Sequence, residues 1–295
     1  MSDAAAATPP PATVAAPPAR KGGRLPPMVL FALFWIVLML GTALLADWIS
    51  PFSHTALDLR ARLAPPAFMG GSWLHPLGSD ELGRDVLSRL IVSIRMSLLI
   101  AFGAAIIGAV LGVTLGFLAA HFRGLVEQAV MALADFQASM PFLILALSVL
   151  AFFGNALPLF ICLLGLHGWE RYARIARGLA ISAGGQGYAA AVRQLGATPW
   201  RIYARHVLPN IASTLIVSMT LAFPEIILLE SGLSFLGLGV QPPDSSLGNM
   251  VGYGREYLTR APWILLAPSL VIVLTTLSVS LLGDWLRDRL DPTLR

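Results

Sequence analysis

The stretch YAAAVRQLGATPWRIYARHVLPN, residues 188–210, decides how the rest of the chain is read. It carries Arg193, Arg201 and Arg205 and lies between two long apolar runs. Hydrophobic residues make up 56% of the 295, charged residues only 12%, and mean hydropathy is +0.74. A soluble domain is about a quarter charged, so this chain lacks the polar residues to coat a water-facing surface. It reads as an all-α polytopic membrane protein. Anchoring alone does not explain so polar a segment, and a soluble partner is expected to dock there.

Within the segment, Gly196-Ala197-Thr198-Pro199 reads as a break between two helices. Thr198 can cap the second, and Pro199 falls where a first helical turn tolerates it. The Ala-rich piece before the break favours helix. The piece after it places Arg201 and Arg205 four apart on one face, and Leu208-Pro209-Asn210 ends it. Two readings of this helix pair follow from the pattern: a knob for a cleft in another protein, or an interfacial helix held by snorkelling arginines on anionic membrane lipid.

Working outward, residues 1–27 form an Ala/Pro-rich tail that cannot bury enough apolar surface to fold. A first span is expected at 28–46, long enough to be a retained anchor rather than a signal peptide. It is followed by an outer loop up to residue 96, whose end holds a short interfacial helix. Five more spans are expected in a core over 97–283. Span two covers 97–120, span three 126–153 and span four 157–177; spans five and six cover 211–233 and 261–283. The break between spans three and four rests on Gly154-Asn155-Ala156-Leu157-Pro158. The polar segment occupies about 178–210, and residues 284–295 form the C-terminal tail.

Six spans put both termini on one side. Thirteen of the 20 Lys and Arg residues then share that side: Arg20, Lys21, Arg24, Arg123, Arg171, Arg174, Arg177, Arg193, Arg201, Arg205, Arg287, Arg289 and Arg295. Positive charge marks the cytoplasmic face, so both termini and the 188–210 segment are expected in the cytoplasm.

The same reading excludes several functions. Net charge is +4, but the arginines sit in short links between apolar runs, which fits topology rather than nucleic-acid binding. The single cysteine, Cys162, lies in an apolar run and reads as a small buried hydrophobe. The five histidines have no metal-ligand spacing, no cofactor or metal is implied, and no catalytic constellation stands out. No GxxxxGK[ST] phosphate loop is present, so any ATPase must be another chain.

Three acids, Asp135, Glu225 and Glu230, fall within or near spans, where an ionised side chain costs at least ~2.5 kcal/mol. Asp135 and Glu230 are candidates for a structural role, capping or pairing, or for lining a translocation path. An ion-coupled carrier using the two as a relay is the competing reading. Pro141 and Pro224 are expected kinks, and Gly103, Gly108, Gly112 and Gly116 are expected to let a neighbouring helix pack closely.

Four motifs carry a family resemblance. They are AAVRQLG (190–196) followed by Val207-Leu208-Pro209, HPLGSDELGRDVLSR (75–89), ESGLSFLGLGVQPP (230–243) and LGDWLRDRLDP (282–292). The first resembles the EAA loop of ABC-transporter permeases. Together they resemble the C-type permeases of dipeptide, oligopeptide and nickel importers, over residues 28 to 295. The resemblance implies a type I ABC importer permease fold in a bacterial inner membrane, itself non-catalytic. It also implies a second homologous permease, two cytoplasmic ATPases and an external substrate-binding protein as partners. The solute would be a short peptide or similar small polar molecule. By the same resemblance Ala190, Ala191, Arg193, Leu195, Gly196, Arg201, Leu208 and Pro209 form the loop that couples to the ATPase, with Gly196 at the turn. Ala190 stands where the family usually has Glu.

Overall fold

The computed structural model describes residues 25–184 and 198–290, all helix and loop. Ala190, Ala191, Arg193, Leu195 and Gly196 lie outside the described residues, as do 1–24 of the tail and 291–295 of the C-terminus. The elements in order are α1 (Pro27–Leu44), α2 (Ala46–Ile49), α3 (Val86–Phe122), α4 (Gly124–Ser139), α5 (Phe142–Phe153), α6 (Leu157–Gly165) and α7 (Trp169–Gly184). After the undescribed residues come α8 (Pro199–Ile202), a π-turn (Tyr203–Val207), α9 (Leu208–Phe235), α10 (Leu247–Gly254) and α11 (Trp263–Leu290).

Among the described residues, α1, α3, α9 and α11 are each long and apolar enough to cross a membrane. The α4–α5 pair makes a fifth if it is counted as one span, but its halves meet at 90°. The expected span three is therefore two helices. Met140 is extended at φ −84°, ψ 135°, as the residue before a proline is pushed to be, and Pro141 supplies no N–H to resume the ladder. The expected span four is likewise divided, into α6 and α7, at residues 166–168. Gly154, at φ +82°, makes the break between α5 and α6 that the sequence predicts.

The outer loop ends sooner than expected. Asp85 accepts hydrogen bonds from the Ser88 N–H and Oγ, both at 2.7 Å, and caps α3. No breaker follows until Arg123, so the expected interfacial helix is the first turns of one 37-residue helix about 55 Å long. At the other end of the core, Thr198 precedes α8 as expected. The chain does not stop at Leu208-Pro209-Asn210, however. The π-turn widens the helix just before Pro209, where the regular ladder loses a donor, and helix continues into α9.

Buried Ile100, Phe160, Leu164, Ile227, Leu233, Met250 and Ile264 join α3, α6, α9, α10 and α11 into one core. α1 lies along α11 and α3 and stays mostly uncovered, as a helix apolar all round can in lipid. Cys162, expected to be buried, is exposed on α6.

The closest packing is between α3 and α7. A Cβ on Gly112 would lie 2.3 Å from the Trp169 carbonyl oxygen, and one on Gly116 would lie 2.5 Å from that of Ala173. Gly108 approaches the Gly165 carbonyl, at the end of α6, in the same way, at 2.8 Å. Three of the four glycines predicted to permit close packing thus bring backbone onto backbone. Gly103 meets only the Ile161 side chain.

Candidate functional site

Two arrangements of polar groups link the helices. The first surrounds Glu230, near the Phe235 end of α9, where its carboxyl is wholly buried. Ser234 donates to Oε1 at 2.8 Å and Ser97, from α3, to Oε2 at 3.2 Å. Ser246 donates to Ser234 Oγ at 3.3 Å, and the Leu247 N–H donates to Ser97 Oγ at 3.1 Å. Ser93 donates to Ser245 at 2.9 Å just outside this ring. Hydroxyls from α3, α9 and the start of α10 therefore converge on one carboxyl, and no cation among the described residues pairs with it. Glu230 ties three helices together.

The second arrangement is a ladder of ion pairs along α7. Arg171 Nη2 lies 2.9 Å from Glu225 on α9, with His167 Nε2 at 3.4 Å from the same carboxylate. Arg174 Nη2 lies 3.0 Å from Asp135 on α4, and Arg177 Nε donates to Glu127, also on α4, at 2.7 Å. The arginines recur every three residues, so each partner sits about 4.5 Å further along the helix. Glu225 is about 25 Å from the Leu208 end of α9 and about 15 Å from its Phe235 end, which is mid-span. Arg171 belongs to the turn of α7, Trp169 to Ala173, that packs on Gly112. Arg171 and Glu225 are nonetheless about half exposed, and the Asp135 side chain is 74% exposed.

The two acids singled out from the sequence are therefore not brought together. Asp135 opens outward beside an arginine, while Glu230 is sealed. Glu225, which carries less support in the sequence, belongs with Asp135. Arg171, Arg174 and Arg177 are read from the sequence only as topology charges; the structure gives each an acid. Their three-residue spacing, opposite acids at comparable distances from the apolar breaks, is the signal that could have found them.

A third group braces the loop between α2 and α3. Asp85 Oδ1 meets His75 Nδ1 at 3.0 Å, Asp80 accepts from Arg84 Nε at 2.7 Å and pairs with buried Arg89, and Trp263 Nε1 donates to the Ser79 carbonyl at 3.1 Å. Asp47, outside the spans, is held below the usual carboxylate range by hydrogen bonds from Arg95. Asp85→Ala removes the α3 cap and orphans the Ser88 donors. It is expected to lower stability by ~2 kcal/mol, read as an earlier thermal transition of the detergent-solubilised protein, with Asp85→Asn nearer the parent.

Of the coupling-loop candidates, Arg201 is exposed on α8, and Leu208 and Pro209 are exposed at the start of α9. All three belong to residues 198–210, the part of the polar 188–210 segment that the structure describes.

Residues 112–295 match the family model described as the inner membrane component of binding-protein-dependent transport systems. The chain belongs to this family. The matched region holds both arrangements apart from Ser93 and Ser97, and it includes the polar 188–210 segment. As an inner-membrane component with several apolar helices, the chain is a multi-pass membrane protein. It is 38% identical over 264 residues, 89% of this chain and 87% of the relative, to the di/tripeptide transport system permease protein DppC of Pseudomonas aeruginosa. It is 36% identical to the oligopeptide transport system permease protein OppC of Mycobacterium tuberculosis, covering 83% of each. It is 34% identical to the glutathione transport system permease protein GsiD of Pectobacterium atrosepticum, over 88% of this chain and 85% of that one. Among solved structures, the inward-facing MetNI methionine ABC transporter aligns with 68% of this chain and 96% of its own at TM-score 0.56 and 21% identity, a likeness of fold. Permease relatives and a sealed Glu230 leave the ion-relay reading without support.

Proposed function

We propose that this inner-membrane component forms half of the translocation pathway of an ATP-driven importer for short peptides or similar small polar solutes. It works with a second homologous permease, two cytoplasmic ATPases and an external substrate-binding protein. Both termini face the cytoplasm, and six spans cross a bacterial inner membrane, the divided α4–α5 and α6–α7 segments each serving as one. The observation that carries the reading is the likeness to a di/tripeptide permease along nearly the whole chain. The absence of a phosphate loop fits a non-catalytic subunit driven by separate ATPases.

The test is uptake of labelled di- and tripeptides into proteoliposomes holding the protein with its genomic partners. ATP-dependent uptake that requires the binding protein is expected. Failure to retain an ATPase on purification, or equal uptake without ATP, sinks the reading.

The coupling role rests on the resemblance of residues 190–196 and 207–209 to the EAA loop. Gly196→Pro is expected to reduce ATP-dependent uptake at least ~100-fold, while the protein still inserts and is recovered from the membrane. The reason is that proline fixes φ and removes a donor where the resemblance puts a turn. Unchanged uptake in that variant would remove the loop from the coupling mechanism.

A further inference from the structure

The ion-pair ladder on α7 has a property that packing does not explain. Charges at membrane depth are normally buried against protein or open to a water-filled route, because hydrocarbon does not solvate them. Glu230 follows the first pattern. Arg171, Glu225, Arg174 and Asp135 do not: each is paired, yet each keeps a large accessible surface. The pairs are also unlike the flanking faces of α4 and α5, where Leu133, Phe136, Ile144 and Phe152 are exposed and apolar. Beside the upper rung, a recess of about 20 Å³ has His167, Arg171, Glu225 and Tyr172 in an otherwise apolar wall. The Tyr172 hydroxyl is buried and makes no hydrogen bond among the described residues. A tyrosine hydroxyl left in that state is a donor and acceptor in want of a polar partner.

We propose that these rungs face the solute's route, and that they take a solute carrying both an ammonium group and a carboxylate. Resting on the importer reading above, this assigns residues to the inner half of its pathway. Glu225 and Asp135 meet the ammonium, Arg171 and Arg174 the carboxylate. Each arginine already satisfies its acid, so the empty route holds no uncompensated charge in low dielectric. A zwitterion passing along it exchanges partners rung by rung and leaves neither its own charges nor those of the wall unpaired. Exposed pairs of this kind are individually weak, which suits a surface that must release what it touches. A solute lacking either charge would gain nothing from the exchange.

The experiment uses the assembled transporter in proteoliposomes, with Cys162 replaced by serine so that this chain carries no other thiol, and labelling is read on this chain after the subunits are separated. Asp135→Cys and Arg174→Cys are each treated with a negatively charged sulfonate and a positively charged ammonium methanethiosulfonate reagent. Val37→Cys, on the apolar and mostly uncovered α1, is the hydrocarbon-facing control. Because the Asp135–Arg174 pair is exposed, neither substitution should disturb folding. Both thiols are expected to react at least ~10-fold faster than the control, since hydrocarbon disfavours the charged reagent and thiolate alike. Their charge preferences should be opposite. The sulfonate reagent reacts faster at Asp135→Cys, which frees Arg174, and the ammonium reagent reacts faster at Arg174→Cys, which frees Asp135. Reaction no faster than the control would mean that lipid or the second permease covers the rungs, and would overturn the proposal. Fast reaction without opposite preferences would overturn it too, because the wall would then be wet but indifferent to charge. Either result is read without any solute present, so it stands apart from failure of the peptide-uptake test.

Discussion

Gly112→Val is expected to prevent recovery of the folded protein. At this position a Cβ meets the Trp169 carbonyl oxygen at 2.3 Å, the Tyr172 Cβ at 2.6 Å and the Ala173 nitrogen at 3.0 Å. These are backbone or backbone-proximal atoms of α7, and no side chain can rotate away from them. Valine therefore has to separate the two helices along much of their length. That forfeits the contact of Gly116 as well, and overpacking of even ordinary core sites costs ~1–3 kcal/mol. Here the loss should exceed ~3 kcal/mol, a large share of a typical folding free energy. The measurement is the monodisperse fraction of detergent-solubilised protein as temperature rises. Gly232→Ala, on α9 with no atom within 4 Å of its would-be Cβ, is the companion variant. It should match or slightly exceed the parent, since alanine favours helix by about 0.5–1 kcal/mol over glycine. Similar behaviour of the two variants would mean that α3 and α7 do not meet at Gly112.

The second large effect is expected at Glu230. Alanine there removes the acceptor for Ser234 and Ser97 in a site closed to water. Each orphaned hydroxyl costs about 1–3 kcal/mol, and the lost carboxyl leaves a void besides. Glu230→Ala should therefore destabilise by ~3 kcal/mol or more. Glu230→Gln keeps the volume and one carbonyl acceptor, and serine hydroxyls can turn to accept from its amide. It should fall short of the parent by only about 1 kcal/mol. Reversible unfolding in mixed micelles separates the two. Equal losses for Ala and Gln would show that the negative charge, rather than the hydrogen-bonded ring, is what the site requires.

Much of this architecture was legible because the bilayer imposes it. The apolar runs behind α1, α9 and α11, the turn at Gly154 and the glycines of α3 are set by hydrocarbon thickness, φ > 0 and backbone approach. Each of these acts locally on the residues that carry it. What was not legible depends on neighbours. Pro224 and Pro268 sit inside continuous helices, while Pro141 ends one and turns the chain by 90°. The same ring gives opposite outcomes because surrounding helices decide whether the freed backbone groups are satisfied in place. The ladder was hidden for a similar reason. Arg171, Arg174 and Arg177 look like topology signals until α4 and α9 bring Asp135, Glu127 and Glu225 against them. Glu230 and Asp135 looked alike in sequence, both acids in apolar surroundings. Only the serines contributed by α3 and by the approach to α10 distinguish them. The coupling-loop reading rests on resemblance and awaits the Gly196→Pro result.

The two faces of α7 differ in the slack they allow. Against α3 the contact is carbonyl oxygen on glycine, with no rotamers between the chains. Any sliding there would have to break close backbone packing all at once, so α3 and α7 form one rigid body. Against α4 and α9 the seam is small, Ala134 against Trp169 and Ala173 and Ala222 against Tyr172, and the polar links are arginine side chains with several rotatable bonds, which can follow a retreating carboxylate for some distance before letting go. Rearrangement within this chain is therefore directed to the arginine side of α7, and the glycine seam serves as its fixed reference.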